Sequence, residues 1–561
     1  MVGGAGLRIG QGSAGGLTVA LPYGMVHTGW EMVEQDNTGN VTASAQPVSR
    51  VHRPRSVREV VELVRQARAE GRKLYPVSTG MNWGYGSRSP VRVGCELVDL
   101  SGMARIRNEP GTAPQADEPA LRPFSAANPV AVVEPGVSQG QLYAALQRHS
   151  PTLSFNVTGS AEASSLLGNA LDRGVGYLGP RREDVFGLEV VTGQGEVLRT
   201  GFRRLGDDSV LAHTHPYGLG PLVDGLFFQG NFGIVTSACF RLVPRPPCRV
   251  AVSLALRRSE DLAALIDTLA ALKREGVMSS VTHIGNKART QASLMSGIAG
   301  YLAGHCGLGG AALDAQAAEV LRRVAPYEWA SLGGVAGTRA QVRAALAEVR
   351  ARLGRLARIT VVDDAKLDLG YRLLHPLRFL PFARANAAAI AAIRPLHGLA
   401  SGVPTDAAID NLSWRFGAAG RPAAELDQTD CGLIFVNPAL PMDGAFAARA
   451  VESMQAVAAR FQHALYLTLN IETPTSLVAV ANLLFDRRSA EEVARAQRCA
   501  QALYDCIRAL GLEVYRARAD MMETVVRPDD PFWQLIRSLK SSLDPDDVIA
   551  PGRYNLPLHP G

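Results

Sequence analysis

The sequence predicts an α+β protein built from more than one structural unit. Its 561 residues exceed what a single hydrophobic core usually holds. After residue 248, short apolar runs alternate with helical patterns, as in the strand-like 250–256 followed by a helix at about 259–274. The same alternation recurs at 329–354 and 434–462. Strands that alternate with helices in this way predict a sheet with helices on one face.

The first half of the chain has regular patterns separated by Gly-rich turns. Ser56 can cap a helix whose apolar residues from Val57 to Val64 fall on one face. Short apolar runs ended by Gly or Pro predict buried strands at 74–78, 95–100, 130–136 and 232–244. Further helices are expected at 138–148 and around 162–173, and a hairpin at 186–200.

Composition excludes several classes of protein. The net charge of +6 comes from 58 basic and 52 acidic residues without a basic run, so nucleic acid is not the expected partner. Seven scattered cysteines without CxxC spacing argue against a disulfide framework and indicate a cytoplasmic protein. No stretch approaches the ~18 apolar residues of a membrane span. The Gly-rich start does not resemble a signal peptide, and its first twenty residues are expected to be mobile.

Five segments have residue patterns typical of ligand binding. Three are Gly-rich, at 76–90, 156–177 and 216–236, and two are the short motifs EVYRAR (513–518) and IAPGRY (549–554). In PVSTGMNWGYGSRSP (76–90), glycines follow a strand and let the backbone turn sharply and approach a ligand. This segment matches neither GxGxxG before a helix nor GxxxxGK[ST], so it is not a dinucleotide-binding fingerprint or a P-loop.

Taken in order, the five segments resemble the FAD-binding domain of the vanillyl-alcohol oxidase / p-cresol methylhydroxylase (PCMH) family. The resemblance covers about 51–244 and 431–557 and is weak through 250–430. It implies a two-domain PCMH-type FAD-binding fold with an inserted α+β cap domain. The implied division is an N-terminal extension (1–50), an FAD-binding domain (51–245), a cap or substrate domain (246–510) and a C-terminal segment that returns to the FAD domain (511–561).

The resemblance also implies which residues bind FAD. The loop at 78–86 would hold the pyrophosphate, and 159–177 would line the isoalloxazine and the adenosine-side phosphates. The cofactor-binding residues expected in this way are Ser78, Thr79, Gly80, Met81, Asn82, Gly84, Tyr85, Pro135, Gly159, Ser160, Ser164, Gly168, Asn169, Arg173, Gly174, Gly233, Ile234, Val235, Arg516 and Arg553.

Family members often bond the flavin covalently through a His or Tyr, but those residues are missing here. Leu433 stands at the His position, and no Tyr lies near Glu425. Asn82 is the nearest match to the His of berberine-bridge relatives. We therefore expect non-covalent FAD, with Cys431 and His397 as the alternative linkers.

Phenol-oxidising members hold the substrate phenolate with two tyrosines and one arginine. The matching residues are Tyr85, Tyr515 and Arg516, and Tyr177 at the end of GVGY is also expected to be catalytic. Donors that stabilise a phenolate ease hydride loss from the para-benzylic carbon, which produces a quinone methide. The resemblance therefore implies a small aromatic substrate in a cavity shaped by the cap, with oxygen or an electron carrier as the acceptor.

One departure from the family concerns the fate of the quinone methide. Ser160 stands where the phenol oxidases have an aspartate that acts as base, and the nearest acid is Glu162. Serine is a poor base at neutral pH, so a second step without a base is expected: oxidative decarboxylation to a hydroxystyrene, which suits secondary metabolism.

Other functions stay open at this level. An FAD-dependent dehydrogenase of an alcohol or 2-hydroxy acid, or a non-catalytic flavin-binding protein, would share the cofactor motifs. His213 and His215 form an HxH pair but lack a further ligand at metal spacing, so no metal is expected. There is no GxSxG nucleophile elbow. A homodimer is possible.

Overall fold

The computed structural model describes residues 39–115, 118–417 and 421–558, so the twenty residues expected to be mobile lie outside the described part. The strands are β1 Val51–His52, β2 Lys73–Val77, β3 Cys95–Asp99, β4 Val130–Val133, β5 Leu153–Ser154, β6 Val175–Gly176, β7 Gly179–Pro180, β8 Val185–Thr192, β9 Val197–Arg199, β10 Gly233–Arg241, β11 Val243–Pro244, β12 Cys248–Leu256, β13 Thr282–Asn286, β14 Trp329–Gly337, β15 Ala357–Val362, β16 Cys431–Phe435, β17 Ala439–Pro441, β18 Tyr466–Ile471 and β19 Ser476–Asp486. The α-helices are α1 Val57–Ala69, α2 Gln139–His149, α3 Leu166–Leu171, α4 Leu262–Arg274, α5 Lys287–Cys306, α6 Gly310–Val324, α7 Arg339–Leu353, α8 Asp364–Leu374, α9 Pro381–Ala400, α10 Ala407–Arg415, α11 Gly444–Arg460, α12 Ala490–Ala509, α13 Met522–Val525 and α14 Pro531–Leu543. This mixture of helix and sheet confirms the predicted α+β class.

Two larger sheets, the two-stranded pairs β5-β11 and β6-β7, and their helices form the part that precedes β12. The first sheet is parallel, in the order β1-β3-β2, and the second is antiparallel, in the order β4-β10-β8-β9. Helix α1 contacts both β2 and β8, and its Ser56 cap accepts the Glu59 N–H at 3.2 Å, as the sequence predicts. Helix α3 is shorter than expected because the chain enters it through an irregular turn at 159–165.

The strands from β12 to β19 form one large sheet of eight strands. Its order is β15-β12-β14-β13-β18-β19-β16, with β17 also paired to β19. Helices α4, α7, α11 and α12 share one hydrophobic core with it, whereas α5, α6 and α9 form a separate core, and α5 also contacts the sheet. The expectation of helices on one face only is therefore wrong.

The two faces of this sheet differ along β18. Leu467, Leu469 and Ile471 point into the core with α4 and α11. Side chains alternate between faces along a strand, so Asn470 points to the opposite face, where it meets His283 of β13. Tyr177, just after β6, packs on the His283 ring. This face of the sheet therefore adjoins the first part of the chain.

Both ends of the described chain join distant elements. The Leu74 N–H donates to the Val548 carbonyl at 2.7 Å, and the Ala550 N–H donates to the Leu74 carbonyl at 2.7 Å. Near the other end, the Leu433 N–H donates to the Val41 carbonyl at 2.7 Å. The tail thus extends the parallel sheet edge, while residues just after position 38 pack on the large sheet. The domain limits at 50, 245 and 510 stay predictions.

Candidate functional site

A cavity lies where the loop after β2, the turn before α3, the start of β10 and the C-terminal tail meet. These elements are far apart in sequence but adjacent in space because β2 pairs with the tail. The expected cofactor residues that line the cavity are Ser78, Thr79, Gly80, Met81, Asn82, Pro135, Ser164, Gly168, Asn169, Gly233, Val235, Arg516 and Arg553. The structure therefore brings together residues from each of the five sequence segments.

The cavity wall depends on close backbone approach. A Cβ atom at Gly168 would collide with the Ser78 side chain. The Ser165 N–H donates to Thr79 Oγ1 at 3.1 Å, and its hydroxyl donates to the Pro135 carbonyl at 2.6 Å. Asn169 Oδ1 is buried there and has no hydrogen-bond partner within the described residues. An unsatisfied polar atom in a Gly-lined cradle is suited to a polar cofactor.

Other expected cofactor residues lie away from this cavity wall. They are Gly84, Tyr85, Gly159, Ser160, Arg173, Gly174 and Ile234. The Ile234 side chain is fully buried in the core, so only its main chain can contact a ligand. Gly84 has φ +74°, and a Cβ there would collide with the Phe435 ring, so its role in this structure is close packing on the cap. The cofactor contacts of these residues stay predictions.

Asp172 organises the charged wall of the cavity. Its carboxylate accepts from Arg516 Nε at 2.7 Å, from Arg553 Nη2 at 2.9 Å and from Asn82 Nδ2 at 3.0 Å. Arg516 also donates to Asn82 Oδ1, and Arg553 Nη1 donates to the Tyr75 hydroxyl at 2.8 Å. We call these five residues the Asp172 network. Sequence reasoning missed Asp172 and Tyr75, although Asp172 is the one acid in GNALDRGVGY (168–177).

Arg516 is a permanent cation held in a fixed position. Burial by itself would lower the pKa of its guanidinium, but Asp172 and the neighbouring tyrosine hydroxyls raise that pKa above the ordinary value. Its Nη1 atom has no hydrogen-bond partner in the described part of the chain, and Arg516 lines the cavity. One donor of the guanidinium is therefore available to a ligand.

The two predicted tyrosines meet beside this arginine. Arg516 Cζ lies 4.1 Å from the centre of the Tyr85 ring. The Tyr85 hydroxyl accepts from Asn437 Nδ2 at 2.6 Å, and the Tyr515 side chain is close enough to raise the pKa of Tyr85. Burial raises the pKa of both tyrosines, so both stay protonated donors at neutral pH. We call Tyr85, Tyr515 and Arg516 the phenol clamp.

Ser160 has only neutral hydrogen-bond partners. Its hydroxyl lies 2.5 Å from the Thr158 hydroxyl and accepts from Gln139 Nε2 at 3.2 Å. Glu162 is exposed, and its main-chain N–H donates to an Asp406 carboxylate oxygen at 2.8 Å. Partial burial and the nearby Asp406 raise the pKa of Glu162. Neither residue is placed as a strong base at the buried centre of the site.

Three polar residues of the cap, His283, Asn470 and Glu472, lie on the same side as Tyr177 and Tyr515, and the sequence analysis did not predict them. The Tyr177 and His283 rings are 4.9 Å apart, and His283 Nδ1 lies 2.7 Å from Asn470 Oδ1. Burial lowers the pKa of His283 to about 4, so its ring is neutral at pH 7. Burial raises the pKa of Glu472 to about 8, and its charge acts on Tyr515. No local sequence pattern marks these cap residues.

The candidate flavin linkers are all buried. Leu433 packs in a hydrophobic core, and burial raises the pKa of the Cys431 thiol to about 12, which suppresses the reactive thiolate. His397 Nε2 lies 3.1 Å from Asp364.

The two histidines of the HxH pair have different partners. His213 lies 3.3 Å from Asp207, while His215 packs on Phe202.

Comparison with known proteins identifies the class. Residues 48–201 match the family model described as FAD binding domain. The chain is 30% identical to 1'-carboxy-chondrochloren decarboxylase of Chondromyces crocatus, over 93% of this chain and 94% of that protein. It is 26% identical to the flavoprotein subunit of 4-cresol dehydrogenase [hydroxylating] of Pseudomonas putida, over 87% and 84% of the two chains. The protein is therefore an FAD-binding flavoprotein and an FAD-dependent enzyme.

Two solved structures share the fold of this chain. A substrate-bound p-cresol methylhydroxylase has a TM-score of 0.73 and 24% identity, over 92% of this chain and 90% of that one. The 4-ethylphenol oxidase of Gulosibacter chungangensis, in complex with isoeugenol, has a TM-score of 0.73 and 24% identity, over 93% and 92%. The chain belongs to the PCMH-type FAD-binding flavoprotein family. Within the described residues, no helix is long and apolar enough to cross a membrane.

Proposed function

We propose that this enzyme oxidises a para-alkylphenol that carries a carboxylate on the carbon next to the benzylic position. It releases CO2 and forms a 4-hydroxystyrene. The observation that carries the proposal is the phenol clamp beside the FAD cavity, combined with a Ser160 whose partners are all neutral. The decarboxylase of Chondromyces crocatus, which aligns over nearly the whole chain, supports it.

The residues of the cavity fit FAD. The unsatisfied Asn169 Oδ1, the close approach of Gly168 to Ser78 and the cations of the Asp172 network suit a polar, anionic cofactor. Ser78, Thr79, Asn82 and Arg553 would hold it from one wall, and Gly233 and Val235 from another. When bound, FAD accepts a hydride from the substrate.

The phenol clamp prepares the substrate for hydride loss. Tyr515 and Arg516 Nη1 stabilise the phenolate oxygen, which raises the electron density of the ring. The benzylic C–H bond then breaks with both of its electrons leaving as hydride, and the ring becomes a neutral quinone methide while the side chain keeps its carboxylate. Because Arg516 is always charged and is held by Asp172, it stabilises the phenolate without reorganisation.

Carbon dioxide loss returns the ring to aromaticity. The bond between the carboxyl carbon and the side chain breaks, and its electron pair forms the new C=C bond of the product. The pair displaced from the quinone methide becomes the phenolate charge at the clamp, and a proton restores the phenol. No base is required, in keeping with the neutral partners of Ser160, and a site that excludes water favours this route over hydration.

The remaining features of the reaction are part of the same proposal. Oxygen or an electron carrier takes the electrons from the reduced cofactor. FAD is held without a covalent bond, because Leu433 replaces the family's His and the Cys431 thiol is buried and protonated. Acid precipitation should therefore release all flavin from the purified protein, and yellow colour that stays with the chain would contradict this. A homodimer and a cytoplasmic location stay predictions.

The deciding experiment uses 3-(4-hydroxyphenyl)propanoate with a labelled carboxyl group. Mixed anaerobically with the holoenzyme, it should bleach the flavin and release labelled CO2 together with 4-hydroxystyrene. Bleaching with formation of a benzylic alcohol or ketone, and no labelled CO2, would restrict the function to phenol oxidation. Bleaching by a simple 2-hydroxy acid, and not by phenols, would favour the alternative dehydrogenase. A flavin that no substrate bleaches would indicate a non-catalytic flavin-binding protein.

A further inference from the structure

Asn437 joins both tyrosines of the phenol clamp to the large sheet. It lies between β16 and β17 and is buried, with only 1% of the residue exposed. Its side-chain Nδ2 donates to the Tyr85 hydroxyl at 2.6 Å, and its main-chain carbonyl accepts the Tyr515 N–H at 3.1 Å. Its Oδ1 accepts the Ala481 N–H of β19 at 2.9 Å. One residue therefore holds the side chain of Tyr85 and the main chain of Tyr515.

The contact with Ala481 fixes the orientation of the Asn437 amide. A main-chain N–H can only donate, so the amide atom that faces Ala481 must be the oxygen. The amide atom that faces Tyr85 must then be the nitrogen, which can only donate as well. The Tyr85 hydroxyl is therefore an acceptor toward Asn437, and its own proton has to point to a different partner.

The rest of Tyr85 is held by its neighbours. Its ring centre lies 5.0 Å from that of Phe435, and Arg516 Cζ lies 4.1 Å from the Tyr85 ring centre. The main-chain carbonyl of Tyr85 accepts the Ala519 N–H at 3.0 Å. With ring and main chain fixed, the direction of the O–H bond is the freedom that remains at this side chain. A donor at Asn437 excludes the orientation in which the proton points toward Asn437 itself.

We propose that Asn437 is a positioning residue that keeps the Tyr85 proton directed to the phenolate oxygen of the substrate. This inference rests on the proposed function and adds the residue that makes Tyr85 a donor there. A hydroxyl that also accepts a hydrogen bond is a stronger donor, because the two bonds polarise each other. The O–H bond of Tyr85 is oriented before the substrate binds, so it stabilises the phenolate without reorganisation. Asn437 acts only through Tyr85 and does not touch the substrate.

The test is a double-mutant cycle on the holoenzyme with 3-(4-hydroxyphenyl)propanoate. Asn437→Leu removes the donor to Tyr85 and should slow anaerobic flavin reduction at saturating phenol by about 10- to 100-fold. In a Tyr85→Phe background the same substitution should change the rate less than about two-fold, because the hydroxyl through which Asn437 acts is gone. Asn286→Leu is the matched control and should keep the wild-type rate. Asn286 is also buried in the large sheet, but its side chain bonds to main-chain groups of Arg289 and Leu465.

A second variant reverses the hydrogen bond between the two residues. In Asn437→Asp, an ionised carboxylate can only accept, so it draws the Tyr85 proton away from the substrate, whereas a protonated carboxyl can still donate to Tyr85. Burial raises the pKa of the introduced carboxyl. The reduction rate relative to wild type should therefore be highest at about pH 5 and fall about ten-fold or more toward about pH 9. In the Tyr85→Phe background, Asn437→Asp should not produce this fall.

The outcomes separate this role from a structural one and from the proposed function. Equal losses of rate from Asn437→Leu with and without the Tyr85 hydroxyl, no loss in either case, or a comparable loss in Asn286→Leu would overturn the inference while phenol oxidation stands. A relative rate of Asn437→Asp that does not change with pH would overturn it as well, and this variant decides alone if Asn437→Leu loses its FAD. If this phenol does not bleach the wild-type enzyme, the proposed function itself fails.

Discussion

The two sides of the site balance their charges in opposite ways. On the FAD side, Asp172 neutralises Arg516 and Arg553 through direct hydrogen bonds. On the cap side, Glu472 Oε1 and His283 Nε2 are buried without a hydrogen bond among the described residues. A satisfied network holds its geometry without a ligand, whereas unsatisfied buried groups cost free energy until a ligand arrives. We therefore expect the first side to hold its groups in place and the second to respond to a bound substrate.

The largest effect on stability should follow from removing the carboxylate of Asp172 on the FAD side. Asp172→Ala leaves Arg516 and Arg553 without their common acid, and breaking a buried pair in this way costs about 3–5 kcal/mol. We expect the urea midpoint of unfolding at fixed excess FAD to fall accordingly. Asp546→Ala is the control, because its ion pair with Arg68 is exposed and should contribute at most about 1 kcal/mol. Equal midpoints for the two variants would show that the Asp172 network does not stabilise the fold.

The next effect tests the phenol clamp, where the two sides meet. Tyr515→Phe removes a donor to the developing phenolate and should raise the barrier to flavin reduction by about 2–4 kcal/mol. The variant should keep its FAD, since the Asp172 network is intact. Rates of anaerobic bleaching, measured at saturating phenol, check the prediction. Tyr504→Phe is a suitable control, because Tyr504 lies in the core packed by α12, and an equal loss of rate there would point to a general structural effect.

The sequence predicted the residues on the FAD side of the site far better than those on the cap side, for a physical reason. Tyr85, Tyr515 and Arg516 lie in short, contiguous motifs, because a cofactor that touches main chain constrains several neighbouring residues at once. Cap residues meet only through sheet register: the pairing of His283 with Asn470 joins positions 187 apart. Such a contact leaves no local pattern. Contacts that depend on sheet register therefore escape sequence reasoning.

The fold shows the same contrast. The longer strands before β12 and helix α11 were predicted closely, because apolar periodicity and Gly or Pro breakers delimit them, whereas α14 was not predicted. Helix α7 was predicted, but α5, α6, α8, α9 and α10 were not. Helix α9, for example, is rich in alanine, so its buried face and its exposed face have similar composition. The prediction of helices on one face only was wrong for the same reason. Helix α5, which was not predicted, covers the face of the large sheet that adjoins the site.

Glu472, on the cap side, should make the stability of the fold depend on pH. Burial raises the pKa of Glu472 from 4.5 to about 8 in the folded state. Between these values the native protein binds more protons than the unfolded chain, so stability falls as pH rises, by about 1.4 kcal/mol per pH unit. Glu472→Gln should remove this loss, so its stability relative to wild type should increase from pH 5 to pH 8. Unfolding midpoints measured from pH 5 to pH 8 test this prediction, and the exposed Glu523→Gln is the control. A constant difference in stability between Glu472→Gln and wild type would mean that Glu472 does not titrate in this range.

The smallest effect concerns Glu162, the acid nearest in sequence to Ser160. Its side chain is exposed, and its main chain is tied to Asp406, so it is poorly placed to activate water inside a closed site. Glu162→Gln should therefore leave both the rate and the ratio of styrene to benzylic alcohol within about two-fold of wild type, as expected for a surface substitution. Ser160→Asp is the informative counterpart, because it restores a carboxylate where Thr158 and Gln139 now hold a hydroxyl. A base at that position should activate water against the quinone methide and shift the product toward the alcohol. If Glu162→Gln instead abolishes turnover, Glu162 acts as a base at the rim of the site, and decarboxylation without base catalysis is wrong.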